Sequence, residues 1–312
     1  MSAGAELAWL VPVALTVITA STPLLFAATG ELVAEKAGVL NLGVEGMMLI
    51  GAIAAFAVAS SSGSGVLGVL AGAAAGTAMA LVFAVLTLSL YANQVATGLA
   101  LTIFGVGASA LIGAGFVGFA IEPLPQLALP VLSELPVAGP ILLGQDALVY
   151  LSFAMLIAVS WFLARTRAGL ILKAVGENHA SAHVLGHNVV GVRYLAVLFG
   201  GAMAGLAGAY LSLAYTPMWA ENMTAGRGWI AVALVVFATW RPWRLLLGAY
   251  IFGGITILQL HAQGAGFEMP SQFMSMLPYL ATVLVLALMS AARGRMRLNA
   301  PASIGQVFKP ES

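Results

Sequence analysis

No charged side chain occurs between Gly46 and Ile121, a stretch of 76 residues. A helix needs about 20 apolar residues to cross the hydrocarbon core of a bilayer. That stretch alone therefore holds about three crossings. A transmembrane β-barrel would alternate polar and apolar residues in segments of about ten, whereas these runs are continuously apolar. The expected fold class is all-α: a polytopic bundle of about 8–10 transmembrane helices. Composition agrees, with 61% hydrophobic residues, 7% charged and a mean hydropathy of +1.03. A soluble domain carries about 25% charged residues, so the surrounding solvent expected here is membrane lipid.

The same composition excludes other classes. There is no cysteine, hence no disulfide and no thiolate metal site. A net charge of +1 gives no footprint for a nucleic-acid polymer. The first 35 residues contain no Lys or Arg, so the N-terminus lacks the positive region of a cleaved secretory signal.

Charge-free runs predict nine spans, at about 8–29, 38–60, 65–90, 95–118, 146–164, 192–213, 228–240 extended to about 245, 246–263 and 275–292. The stretch from Ala8 to Ile50 is the hardest to divide, because Pro23, Gly30, Gly38 and Gly43 can each break a helix there. Basic residues gather in three places: Arg165, Arg167, Lys173 and Arg193; Arg241 and Arg244; and Arg293, Arg295 and Arg297. Two predicted spans separate each group from the next. All three can therefore face the cytoplasm, as the preference of Lys and Arg for cytoplasmic loops requires. This places the N-terminus outside and the segment around Glu31, Glu35 and Lys36 inside. The segments 122–146, 215–227 and 263–271 are expected outside. The first of these holds five prolines and cannot be one helix. One transmembrane domain over 1–298 is expected, followed by a short, polar, mobile cytoplasmic tail over 299–312.

Small residues recur at four-residue spacing, in Gly68, Gly72 and Gly76 and again in Gly201, Gly205 and Ala209. Such faces let helices approach closely. Packing within one subunit is the first expectation, and a seam between subunits the second.

The segment 165–191 carries three of the four histidines and is too polar to enter lipid. Asn178 is placed to cap a short helix running to about Gly186. His179 and His183 share a helical face at i, i+4 spacing, and His187 extends the row. Without an accompanying carboxylate motif, a protein-contact face is a better reading than a metal site. The chain also lacks a Gly-x-x-x-x-Gly-Lys-Ser/Thr phosphate loop. Its lysines are Lys36, Lys173 and Lys309, and none follows glycine. Any ATP hydrolysis must therefore be the work of another chain, and this one is read as a non-enzyme.

The run from Thr166, "TRAGLILKAVGENHASAHVLGHNVVGVRYLAVLFGGAMAGLAG", resembles the coupling region of permease subunits of bacterial ABC importers. The branch it is similar to serves branched-chain amino acids, ribose and related sugars, and nucleosides. "GVLNLGVEGMMLIGA", beginning at Gly38, is similar to the nucleoside subgroup, as are "WIAVALVVFATWRPWRLLLGAYIFGG" and "MLPYLATVLVLAL". The resemblance runs from about Thr22 to Leu288. It implies a multi-pass protein of the bacterial inner membrane, working with cytoplasmic ATPase subunits that hydrolyse the ATP. It also implies a second permease subunit, more often a related chain than an identical one, and an external substrate-binding lipoprotein. No cofactor is expected on this chain. By position, Lys173, Ala174, Gly176, Glu177, Asn178, Ala180 and Ala182 would form the ATPase contact.

Polar side chains inside apolar spans mark a pathway by default. The candidates are Asn41, Glu45, Asn93, Gln94, Thr97 and Gln259 with its neighbour His261, while Phe104 and Trp229 offer rings on which a base could stack. Asn41 and Glu45 have an equal alternative, bonding the freed backbone of a broken helix. For Asn93 and Gln94 a cytoplasmic turn, where the third span ends, is the first expectation. Trp219, Trp240 and Trp243 read as interfacial anchors. A secondary transporter would need intramembrane ionisable groups, for which Glu45 is the one good candidate here.

Overall fold

A computed structural model describes residues 3–127, 141, 143–264 and 299–309, with side chains from Val11 onward, and single helical positions between 273 and 287. The described residues are overwhelmingly helical and contain no strand. In chain order the helices are α1 (Ala3–Lys36), α2 (Val44–Ser62), α3 (Gly65–Ala84), α4 (Gln94–Gly113), α5 (Ala147–Arg165), α6 (Arg167–Glu177), α7 (His179–Val184), α8 (Val189–Tyr210), α9 (Arg227–Phe237) and α10 (Pro242–Gly264). Both α3 and α8 run on into a π-helical turn, at Val85–Ser89 and Leu211–Tyr215.

The helix starts follow from sequence chemistry. Ser64, Asn93, Asp146, Thr166, Asn178 and Asn188 each accept a hydrogen bond from a backbone N–H of the helix they precede. Each such cap contributes about 1 kcal/mol by satisfying a donor that the helix cannot. Asp146 is mostly buried in that role, and burial pushes its carboxyl above the usual range despite the bonds from Val149 and Leu148.

Among the described residues, seven helices, with their π-helical or 3-10 extensions, are long and apolar enough to cross a membrane. They differ from the nine expected spans in two instructive places. Helix α1 does not end near residue 29; it continues through Pro23 and Gly30 to Lys36. Ser21 and Thr22 donate their hydroxyls to the Val17 and Ile18 carbonyls in the turn where proline supplies no N–H. The chain breaks instead at Gly38, where φ is +85°. The expected span 228–245 is divided: α9 has 11 residues, and α10 already begins at Pro242. At 1.5 Å per residue α9 is about 16 Å long, half of a hydrocarbon core of about 30 Å. The ninth expected span, 275–292, lies largely outside the described residues; its described positions are helical.

The two small-residue ladders meet inside the subunit. A Cβ built on Gly76 would lie 2.3 Å from the Gly201 carbonyl oxygen, and one on Gly205 would lie 2.2 Å from that of Gly72. A Cβ built on Gly51 of α2 would lie 2.6 Å from the Gly205 Cα, and one on Gly208 of α8 2.0 Å from the Met48 carbonyl oxygen. Helices α2, α3 and α8 thus form a slab with backbones in contact. Dispersion across such close faces replaces the hydrophobic effect, which cannot drive helices together in lipid. The outer faces of α3 and α4 carry Leu70, Val82, Ile103 and Leu111, all exposed, as lipid-facing surfaces are.

Lys36, α6, α7, Arg193 and the tail gather at one end, here termed the basic end. At the opposite end the segment 117–124 lies along 213–219, joined by Ile121 N–H to Pro217 O and Leu124 N–H to Leu213 O. The described parts of 122–146 lie at this end with 215–227, as grouped from the sequence; residues 128–140 lie outside the described residues. The tail departs from expectation. Residues 299–309 are folded back against α6 and the connection after α1.

Candidate functional site

The polar interior centres on the break between α1 and α2. After Gly38 the chain turns back along α1, and Asn41 N–H donates to Glu31 Oε1 at 3.0 Å. Glu31 lies five residues before the end of α1, so the connection has climbed about 7 Å into the bundle. Leu40 N–H donates to Gln94 Oε1 at 2.9 Å, Gly43 N–H to Asn41 Oδ1 at 2.9 Å, and Thr102 Oγ1 to Leu42 O at 3.0 Å. Helix α2 therefore starts inside the bundle, its opening turn buried.

Glu45, on that opening turn, meets the start of α9. Its Oε1 accepts from the Thr224 hydroxyl and from Gly226 N–H at 2.8 Å; its Oε2 accepts from Gly228 N–H at 2.6 Å. The carboxylate thus caps α9 from another helix, where an anion is favoured by the free N–H groups and the helix dipole. Two interrupted helices with N-termini meeting inside the bundle form a common way to build a solute site in a transporter. Irregular backbone at that depth is tolerated only where protein or a cavity satisfies it.

The remaining candidates are distributed. Trp229 follows Gly228 directly and is 49% exposed. Phe104, 59% exposed, precedes Gly105, which lies against Gly46. Asn93 caps α4 through Ala96 N–H at 3.0 Å. Thr97 and Gln259 are half-buried on α4 and α10, and among the described residues neither is bonded to the Glu45 junction. His261 bonds the Ile257 carbonyl of its own helix. Trp219 and Trp240 are not interfacial anchors. Trp219 is buried against Gly113, Ile53 and Phe56, and Trp240 donates its indole N–H to Glu35 Oε2. Trp243 is 55% exposed.

Three charged groups escaped the sequence reading. Glu31 and Glu35 are 1% and 0% exposed inside α1, not in a cytoplasmic connection. Their i, i+4 spacing was a usable signal, masked by the assumption that Gly30 ends the helix. Arg193 is 1% exposed on α8 and bonds Ala37 O, Gln306 O, Ser303 Oγ and His179 Nδ1. Its position in a span that otherwise carries no charge, "VVGVRYLAV", marks it in retrospect.

At the basic end α6 and α7 present a mixed surface. Ala174, Glu177, Asn178 and Ala180 are exposed and Lys173 is partly so. Gly176 and Ala182 face inward: Gly176 lies against the Lys36 carbonyl, and Ala182 packs with Val175, Val189 and Phe308. Val184 and Leu185 at the end of α7 are 86% and 74% exposed, which composition alone had not singled out. His179 and His183 both lay their rings against Phe308, at 5.1 and 5.4 Å between centroids. Burial, and then the Arg193 charge, push the His179 imidazole below its ordinary range.

Comparison with known proteins agrees with this geometry. The model of the family "Branched-chain amino acid transport system / permease component" matches residues 13–292. The chain is 43% identical to TsgC13 of Haloferax volcanii, provisionally named a glucose ABC transporter permease protein, over 94% of this chain and 96% of that one. It is 33% identical to the nucleoside ABC transporter permease protein NupC of Lactococcus lactis, over 86% and 89%. It is 31% identical to the guanosine ABC transporter permease protein NupQ of Bacillus subtilis, over 85% and 88%. The chain therefore belongs to the permease-component family of branched-chain amino acid transport systems: it is a multi-pass ABC transporter permease, and not an enzyme.

Proposed function

We propose that this permease forms half of the translocation pathway of an ATP-driven nucleoside importer. Its mechanism is alternating access, driven by a separate cytoplasmic ATPase that hydrolyses the ATP. The observation that carries the mechanism is the meeting of α2 and α9 at Glu45, a junction that can separate only by breaking three hydrogen bonds. Two discrete arrangements of such a junction are what a driving partner needs to bias. The ATPase would dock on the exposed face of α6 and α7, on Ala174, Glu177, Ala180, Val184 and Leu185, with the basic end in the cytoplasm. A second, related permease completes the pathway, and an external lipoprotein delivers the solute. Residues 1–298 form one transmembrane domain.

Two relatives named for nucleosides support the cargo. Asn41, Gln94 and Trp229 near the junction provide amide and ring chemistry suited to ribose hydroxyls and a base. A simple sugar is the second reading, favoured by the relative provisionally named for glucose. Uptake of labelled guanosine, uridine, ribose and glucose by cells with the transport operon intact, or with this gene deleted, separates them. Loss of nucleoside uptake alone is the expected result. Loss of glucose or ribose uptake alone would replace the cargo, and uptake that survives removal of the ATPase would sink the importer reading.

A further inference from the structure

Arg193 occupies an unusual position for a cation. All three of its guanidinium nitrogens are engaged, and every acceptor is neutral. A buried charge balanced only by neutral acceptors is costly and persists where the geometry is over-determined. Those acceptors come from three segments distant in the chain. Ala37 O, at 3.1 Å, belongs to the connection between α1 and α2. His179 Nδ1, at 3.3 Å, belongs to α7. Gln306 O, at 3.0 Å, and Ser303 Oγ, at 3.3 Å, belong to the tail.

The tail completes the link. Ser303 Oγ lies 2.6 Å from the Gly176 carbonyl at the end of α6, and Ser303 N–H donates to the same carbonyl at 3.0 Å. Gly305 N–H donates to Gly38 O at 3.1 Å, and Lys36 Nζ to Asn299 O at 2.8 Å. Phe308 fills the space between the His179 and His183 rings and the Val175, Ala182 and Val189 side chains. From Gly38 the chain leads directly to Asn41, anchored on Glu31, and four residues later to Glu45. Hydrogen bonds and the backbone from Ala37 to Glu45 therefore connect α7 to the junction where α2 meets α9.

We propose that Arg193 is a positioning residue for transport, and that the docked tail 299–309 works with it. Together they tie α7 to the 37–43 connection, so that displacement of α7 is delivered to the Glu45 junction. The proposal rests on the importer reading above and adds the element that transmits the stroke. Arg193 touches no solute; it acts through Ala37 and the tail. Hydrogen-bonded connection by itself does not demonstrate coupling, so the test reads coupling directly.

The chain contains no cysteine, so a single introduced thiol reports unambiguously. Ala225, exposed beside the junction, is replaced in Ala225→Cys. The assembled complex with its ATPase is treated with ATP and vanadate, and the labelling rate with a maleimide is followed. No solute is needed, so an error in the cargo cannot confuse the result. In the Ala225→Cys parent the rate changes about fivefold or more, the lower end of typical coupling between sites. Adding Arg193→Met removes that response while the ATPase still co-purifies. Adding Ser303→Ala with Phe308→Ala instead removes most of it, and combining both sets does no further harm. Arg193→Lys, which keeps the charge but not the fork, restores part. Should Arg193→Met fail to accumulate, the tail pair decides alone. A parent-like response in either variant with the ATPase bound overturns the proposal. A parent that binds no ATPase instead overturns the importer reading, and the proposal with it.

Discussion

The slab of α2, α3 and α8 and the polar junction around Glu45 share one helix, α2, yet are built on opposite principles. In the slab, glycine backbones touch at distances that leave no room for a methyl group. Sliding one helix there would drive carbonyl oxygens into facing Cα atoms. At the junction a few directional bonds hold interrupted backbone, and each can be exchanged for water or solute. One end of α2 is therefore the frame and the other the moving part. A transporter needs both: rigid packing transmits displacement, and a bistable element converts it into a change of access.

Substitutions at the two places should fail differently. Gly205→Leu places a side chain into the Gly72 backbone and should leave no folded protein in the membrane, as scored by detergent extraction and size-exclusion chromatography. Recovery of folded protein would mean the slab can open. Glu45→Ala comes next, because it strands the Thr224 hydroxyl and the Gly226 and Gly228 N–H groups. Buried unsatisfied donors cost about 1–3 kcal/mol each. The expected result is folded protein with a lowered melting temperature and no transport, with Glu45→Gln recovering part of the stability. Leu185→Asp should leave melting unchanged and reduce ATPase co-purification about tenfold, equivalent to about 1.4 kcal/mol. Unaltered co-purification would move the docking surface elsewhere.

A smaller effect is expected from pH. The His179 imidazole is held below its ordinary range, so the unfolded or undocked state binds the proton more tightly. Stability from the docked tail is then fully present above the ordinary histidine value of about 6.5 and is lost as pH falls below it. Protection of the Ser303 and Gln306 amides, relative to their intrinsic exchange at each pH, should fall between about pH 6.5 and 5, and His179→Gln should flatten that dependence. The smallest effect belongs to Ile103→Ala on the lipid-facing side of α4, which should change stability by less than about 0.5 kcal/mol.

Much of this architecture was readable in the residues. Charge-free runs located the long helices, and Asn178 announced the helix it caps. The two glycine ladders announced close packing, although not that each was the other's partner. What escaped were features set by tertiary context. Gly30 reads as a breaker, but in α1 it faces Met203 and Gly200, where a larger residue would collide. The break at 38–43 depends on Gln94 and Glu31, which no local window connects. Residues 299–309 read as a polar, mobile tail because their ordering partners are distant backbone carbonyls and one arginine. Among the pathway candidates, Asn41, Glu45 and Gln94 come together because the same interrupted backbone recruits them. Thr97 and Gln259 belong to other helices, and polarity alone could not group them.

The shortness of α9 bears on how the protein is made. Eleven residues are too few to leave the translocation machinery as an independent span. Their opening N–H groups find their acceptor on Glu45, a residue synthesised about 180 positions earlier. Until α2 is in place, that end of α9 has no partner in lipid and the segment 216–226 no shelter. Insertion of this part of the chain is therefore conditional: biogenesis must hold α9 with α10 at the interface until the earlier helices have assembled. Lesions at Glu45 should then appear first as a defect of membrane maturation in newly made chains, ahead of any defect in solute movement.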